Sequence, residues 1–129
     1  MPQNVGAAIR VAACFGAAID IIGPCGFSGG ERDIRRVAMD YALAAPPVFH
    51  DGWRTFLSGL RGASLAAAPS GKNKARLALM TTKGATDLWK FTFMPDDVIL
   101  LGRESAGVPL EVHEAADARL RIPLAPLAR

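Results

Sequence analysis

Two short stretches hold residues whose types suit chemistry. In PQNVGAAIR, residues 2–10, an arginine sits nearly two turns into an apolar, alanine-rich segment, with Asn4 and Gly6 ahead of it. A guanidinium is costly on a buried face unless it is paired or lines a cavity. In LLGRESAGVP, residues 100–109, an apolar run ends at Gly102, the charged pair Arg103 and Glu104 follows, and Gly107 arrives just before Pro109. A glycine directly after a strand lets a ligand approach the main chain closely. Each stretch also has a plainer reading. Arg10 could face solvent between alanines, and the glycine loop could be an ordinary strand-to-helix turn with solvated charges.

The elements that must position these residues are legible in outline. Asn4 can cap a helix over residues 5–15, with Gly16 as its stop. Residues 18–22 read as a short buried strand, 24–30 as a loop, and 31–41 as a helix with Arg32, Arg35 and Arg36 largely on one side. Residues 48–50 suggest a brief strand, and a helix follows from Asp51 to about residue 60. Residues 70–76, SGKNKAR, form a basic loop. Strands are expected at 77–81, 98–101 and 120–122, with a helix over 110–116. Strands alternating with helices, and apolar strand runs without a polar face, predict a single α/β domain over residues 1–129. Its parallel sheet would be covered on both faces. In such sheets ligands sit outside the carboxyl ends of the strands, where Gly102 falls.

Composition bounds the partners. The 129 residues are 50% hydrophobic and 21% charged, with a net charge of +3, which is ordinary for a globular chain and compatible with a nucleic-acid partner. Cys14 and Cys25 lack metal-ligand spacing and are expected to stay reduced. The alanine-rich start lacks the basic region of a signal peptide, and no run reaches the roughly 18 apolar residues of a membrane span. A soluble, cytoplasmic protein without membrane contact is expected. His50 and His113 have no companions at metal-site spacing, so no metal is expected.

Read together, the stretches resemble a known family. PQNVGAAIRVAACFGA, LLGRESAGVP and LRIPLAP, at residues 2–17, 100–109 and 120–126, resemble the three ordered motifs of the SPOUT superfamily of RNA 2'-O-ribose methyltransferases. GPCGFSGGERDIRRVAMDY and ALMTTKGA, between the first and second motifs, are similar to its tRNA (cytidine/uridine-2'-O)-methyltransferases in particular. The resemblance implies S-adenosylmethionine as cofactor, a homodimer, and a trefoil knot at the carboxyl end that holds the cofactor. It also implies a strand ahead of the first motif and a further segment after the third. The chain is therefore expected to lack its first strand and the piece completing the knot.

The roles implied by the resemblance follow residue by residue. A ribose 2'-hydroxyl is a poor nucleophile, so the site must orient it and stabilise charge developing on its oxygen. Arg10 matches the family's catalytic arginine and is suited to stabilising that charge and gripping the adjacent phosphate, its guanidinium being too basic to serve as a base at neutral pH. Asn4 matches the motif's asparagine and is expected to shape the loop. Glu104 is expected to anchor Arg10 or to accept backbone hydrogen bonds. Met80, Gly102, Ile122, Leu124 and Leu127 are expected to line the adenosine pocket, the alternative being plain core or turn. Gly102→Val is accordingly expected to weaken cofactor binding far more than folding. Arg32, Arg35, Arg36, Lys72, Lys74, Arg76 and Lys83 form the expected RNA footprint, or else are solvated surface charges. Trp53 and Trp89 read as core or interface residues. The expected activity is S-adenosylmethionine-dependent methylation of a tRNA wobble nucleotide. The alternatives are another tRNA position, ribosomal RNA, or a non-catalytic RNA- or nucleotide-binding module.

Overall fold

Pro2 opens the first helix, α1 (Pro2–Phe15), in the computed structural model, which describes residues 2–25, 30–38, 40–67 and 75–125. The fixed φ of proline suits a first helical turn, where its missing N–H breaks no bond. The helix therefore starts earlier than expected, and Asn4 lies inside its first turn instead of capping it. Gly16 ends it as expected, with φ of 62°. The Ala17 N–H donates to the Ala12 carbonyl at 2.9 Å and the Gly16 N–H to the Ala13 carbonyl at 3.3 Å, the paired closure of a Schellman motif.

The chain divides into two compact units, Met1–Gly59 and Leu60–Arg129. In the first, β1 (Asp20–Ile22) pairs parallel with β2 (Val48–His50), placing Asp20 opposite Val48 and Ile22 opposite His50. The helix expected over residues 31–41 is α2 (Gly30–Ala38), and a separate short helix, α3 (Tyr41–Ala44), begins where it was expected to end. The chain tightens at Asp40, whose carbonyl accepts from the Leu43 N–H, three residues on, at 3.0 Å. Ile9 of α1, Ile21 of β1, and Ile34 and Ala38 of α2 form a buried cluster, against which Val5, Ile19, Cys25 and Ala42 pack. The next helix, α4 (Trp53–Ala67), runs past residue 60. Its buried Phe56 meets the His50 ring edge-on at 5.3 Å and lies 5.7 Å from Trp53.

The second unit is a four-stranded sheet. β3 (Leu77–Met80), β4 (Thr86–Asp87), β5 (Val98–Leu101) and β6 (Ala118–Arg121) lie in the order β4-β6-β3-β5, every pair parallel. A 3-10 turn (Leu88–Lys90) follows β4, and α5 (Leu110–Ala115) connects β5 to β6. The parallel α/β expectation holds, with two differences. Among the described residues the strands form two sheets, not one. Burial on both faces belongs to β3 alone, where Leu77, Ala78 and Leu79 are all buried. On β5 and β6 only Leu100 and Leu120 are buried, while Ile99, Leu101, Arg119 and Arg121 are exposed. β4 had no sequence signal, since two polar residues make no apolar run. No described helix is long and apolar enough to cross a membrane.

One close approach fixes the sheet's upper edge. After β3 the chain turns through a Gly84 N–H to Thr81 carbonyl bond of 3.0 Å, and the Thr81 N–H donates to the Leu120 carbonyl at 2.8 Å. A Cβ on Gly84 would stand 2.5 Å from the Leu120 carbonyl carbon and 2.8 Å from the Arg121 nitrogen. Backbone cannot yield as a side chain can. Gly84→Ala is therefore expected to destabilise the protein by about 1–3 kcal/mol, the usual range for overpacking. Chemical denaturation checks this through a lowered midpoint at unchanged slope.

Candidate active site

Arg10 is half-buried on α1, one residue from the fully buried Ile9. Its Nη1 donates to the Val37 carbonyl at 3.1 Å. Val37 lies in the last turn of α2, whose final carbonyls have no intrahelical donor and whose dipole end favours a cation. This answers the cost of an arginine among alanines: the side chain is partly buried and hydrogen-bonded, not solvent-facing. Asn4 is exposed in the first turn of the same helix. Arg32 and Arg36, four residues apart on α2, are both exposed, as an RNA-facing pair would be. The side chain of Arg35 lies outside the described residues.

In the second unit the register lines up three strand ends. Met80 stands opposite Leu101 of β5 and Leu120 of β6, so Thr81, Gly102 and the Ile122 segment leave the sheet at one edge. The loop after β5 closes on itself. The Arg103 N–H donates to the Gly107 carbonyl at 2.9 Å and the Gly107 N–H to the Arg103 carbonyl at 2.7 Å. Gly107 has φ of 64°. A Cβ on Gly102 would lie 2.8 Å from the Gly107 carbonyl carbon and 2.9 Å from Val108 Cγ1. Gly102 is thus needed for the loop's own closure. Gly102→Val would therefore disturb the loop itself, which adds a cost in folding to the weakened cofactor binding expected of it. Glu104 sits exposed in this closed loop. Met80 is half-buried, and Ile122 and Leu124 are 55% and 62% exposed. Leu127 lies outside the described residues.

The charges expected to meet RNA divide. Lys83 is exposed in the turn after β3, and Lys72 and Lys74 lie outside the described residues. Arg76 is engaged within the protein. Its Nε and Nη2 hold the two oxygens of Asp97 at 2.7 and 2.6 Å, Nη2 also donates to the Thr92 carbonyl at 3.1 Å, and the guanidinium lies 5.0 Å from the centre of the Phe91 ring. The Asp97 side chain is 3% exposed and also accepts from the Met94 N–H at 2.8 Å. The hydrogen bond from Arg76 holds the Asp97 carboxyl below its ordinary range and raises the Arg76 guanidinium. This fork ties the start of β3 to the segment leading into β5.

Sequence reasoning missed Asp97, Asp87 and Gly84. Asp87 accepts from Arg121 Nε at 2.9 Å and pairs with Lys90 Nζ at 3.0 Å, which depresses its carboxyl and pins the end of β6 just before Ile122. Arg76 is 21 residues from Asp97 and Arg121 is 34 from Asp87, so no local pattern marks these two pairings, although Lys90 lies only three residues from Asp87. Trp89, read as core or interface, is 66% exposed.

The SpoU rRNA methylase family model matches residues 1–129. A protein of Beijerinckia indica named tRNA (cytidine(34)-2'-O)-methyltransferase is 41% identical over 129 residues, covering all of this chain and 74% of that one. A solved structure described as giving insight into 2-OH methylation of C/U34 on tRNA aligns with a TM-score of 0.75 at 31% identity, over 96% of this chain and 74% of the other. An AdoMet-bound rRNA methyltransferase from Sinorhizobium meliloti aligns with a TM-score of 0.76 at 26% identity, over all of this chain and 46% of that one.

The Arg76 fork separates a structural role from an RNA contact. Arg76→Ala is expected to lower the melting temperature while leaving the salt dependence of RNA binding unchanged; a lost phosphate contact would reduce that slope by about one. The depressed Asp97 carboxyl contributes stability above the ordinary carboxylate range and loses it as pH falls. Melting temperature should hold above the ordinary carboxylate value of about 4 and fall as pH drops through and below it, less steeply in Asp97→Asn.

Proposed function

The chain belongs to the SpoU rRNA methylase family, and from that premise we propose that it transfers a methyl group from S-adenosylmethionine to the ribose 2'-hydroxyl of a tRNA wobble nucleotide. The observation that carries this is the whole-chain match to a protein named for that position, cytidine 34, together with a structure described for C/U34. Residues 1–129 then act as one methyltransferase domain, with a cytoplasmic site of action, and the knot of the SPOUT fold is part of the proposal.

The residues present fit the cofactor. Adenosine needs apolar surface and main-chain hydrogen-bonding groups at the end of a parallel sheet. Ile122, just past the end of β6, and Leu124 after it offer exposed apolar surface, and the ends of β3 and β5 bring main chain at Met80 and Gly102 to that edge. When bound, the cofactor supplies an electrophilic methyl on a sulfonium. The chain's own work is to hold the ribose and stabilise its oxygen. Arg10 is assigned the charge developing on the 2'-oxygen and the neighbouring phosphate, Asn4 the shape of the first motif, and Glu104 the bracing of the glycine loop. Arg32, Arg35, Arg36, Lys72, Lys74 and Lys83 supply the phosphate contacts.

A homodimer is part of the same reading. Val11 and Phe15, four residues apart on α1, are 57% and 83% exposed, an apolar face suited to a second copy. A second substrate reading is favoured by the Sinorhizobium meliloti rRNA methyltransferase at 26% identity. Faster transfer to ribosomal RNA than to tRNA would select it.

Arg10→Ala tests the mechanism. With cofactor and tRNA saturating, single-turnover methylation should slow on the order of a hundred- to a thousandfold, as for loss of one preorganised donor, with cofactor affinity nearly unchanged. Arg10→Lys keeps the charge without the planar fork and should also be severely slowed. A rate within about threefold of wild type for Arg10→Ala would remove Arg10 from catalysis.

A further inference from the structure

Two contacts from α1, four residues apart, converge on one peptide group. Arg10 Nη1 donates to the Val37 carbonyl oxygen at 3.1 Å. A Cβ on Gly6 would lie 2.8 Å from that same oxygen, 2.8 Å from Val37 Cγ2 and 3.0 Å from the Val37 carbonyl carbon. Residues at i and i+4 share a helix face. The face that α1 turns to the last turn of α2 thus combines an absent side chain with a guanidinium. Glycine inside a helix lowers its stability relative to alanine, and the buried Gly6 finds its packing reason in Val37.

We infer that Gly6 is a positioning residue for methyl transfer: it lets α1 close on the end of α2, which brings the Val37 carbonyl to Arg10 and sets where the guanidinium points. The inference rests on the reading of Arg10 as the group that stabilises the 2'-oxygen. A guanidinium is planar with its five N–H groups in a fixed fork, so holding one nitrogen constrains the direction of the others. A donor set is most effective when it is gathered before the reaction begins. The end of a helix is a suitable clamp, because its carbonyls lack intrahelical partners and its dipole attracts a cation. The clamp is backbone, so no side-chain pattern in the sequence announces it.

A double-mutant cycle separates positioning from mere packing. Gly6→Ala, Arg10→Ala and the double variant are compared in single-turnover methylation of tRNA by the full chain at saturating cofactor, with cofactor affinity from calorimetry. Gly6→Ala is expected to slow the step at least about tenfold, since small misplacements near the chemistry cost that much or more. Cofactor affinity should stay within about twofold of wild type, and Gly6→Ala should add nothing in the Arg10→Ala background, because the group it positions is gone. Val37→Ala should not rescue Gly6→Ala, because the carbonyl remains. The inference is overturned if Gly6→Ala is as fast as wild type, if it costs the same factor in both backgrounds, or if Val37→Ala restores it. Arg10→Ala at the wild-type rate would sink the catalytic reading of Arg10 itself, whereas a slow Arg10→Ala beside a fast Gly6→Ala sinks only the positioning role. If Gly6→Ala does not fold, replacing Ala38 by its hydroxy-acid analogue makes the 37–38 link an ester. That weakens the Val37 carbonyl as an acceptor without adding an atom at Gly6, and the same cycle and criteria apply.

Discussion

The register of β3 against its two neighbours is the constraint on which the second unit of the protein depends. Because Met80 stands level with Leu101 and Leu120, three parallel strands release their chains at one edge. A one-residue slip of β5 or β6 would turn Leu100 or Leu120, the one buried residue of its strand, away from the core. The two glycines beyond the edge hold this level. Gly84 lets the turn after β3 cross the β6 backbone, and Gly102 lets the loop after β5 shut against Gly107. The ion pairs work on the same edge and its opposite end: Asp87 holds Arg121 at the exit of β6, while Asp97 holds Arg76 at the entry of β3.

The first unit solves a different problem, the placement of a cation in an apolar helix. Ile9 fills the core cluster, and its neighbour Arg10 reaches the exposed carbonyl end of α2. Burying an arginine this way costs less than leaving it unpaired, because a helix end supplies an acceptor and a favourable dipole together. The exposed Arg32 and Arg36 belong to that same α2. α2 therefore carries both the exposed arginines proposed to meet RNA and the carbonyl that holds Arg10.

Much of this was legible in the sequence, and what was not has a physical cause. The apolar runs at 77–80 and 98–101 gave their strands because four consecutive apolar residues bounded by loops leave few alternatives, and Gly16 marked its helix end by the left-handed turn it alone makes easily. Asn4 misled, because a proline two residues earlier starts the helix first. Arg76 read as a basic-loop residue because its partner Asp97 is distant in sequence and near only after β3 and β5 pair. Gly102 marks its loop in the sequence, but the close approach of Gly107 to it does not show there, because that contact forms only when the loop folds back. The Val37 carbonyl could not be read at all, since main-chain groups carry no sequence signature.

The proposed function turns on which atom receives the methyl group. Unmodified tRNA incubated with the protein and isotopically labelled S-adenosylmethionine, then digested and mapped by mass spectrometry, addresses it directly. Label is expected on the ribose of nucleotide 34, resistant to alkaline cleavage as a 2'-O-methyl group is. Label on a base, label confined to another nucleotide, or transfer only to ribosomal RNA would contradict it.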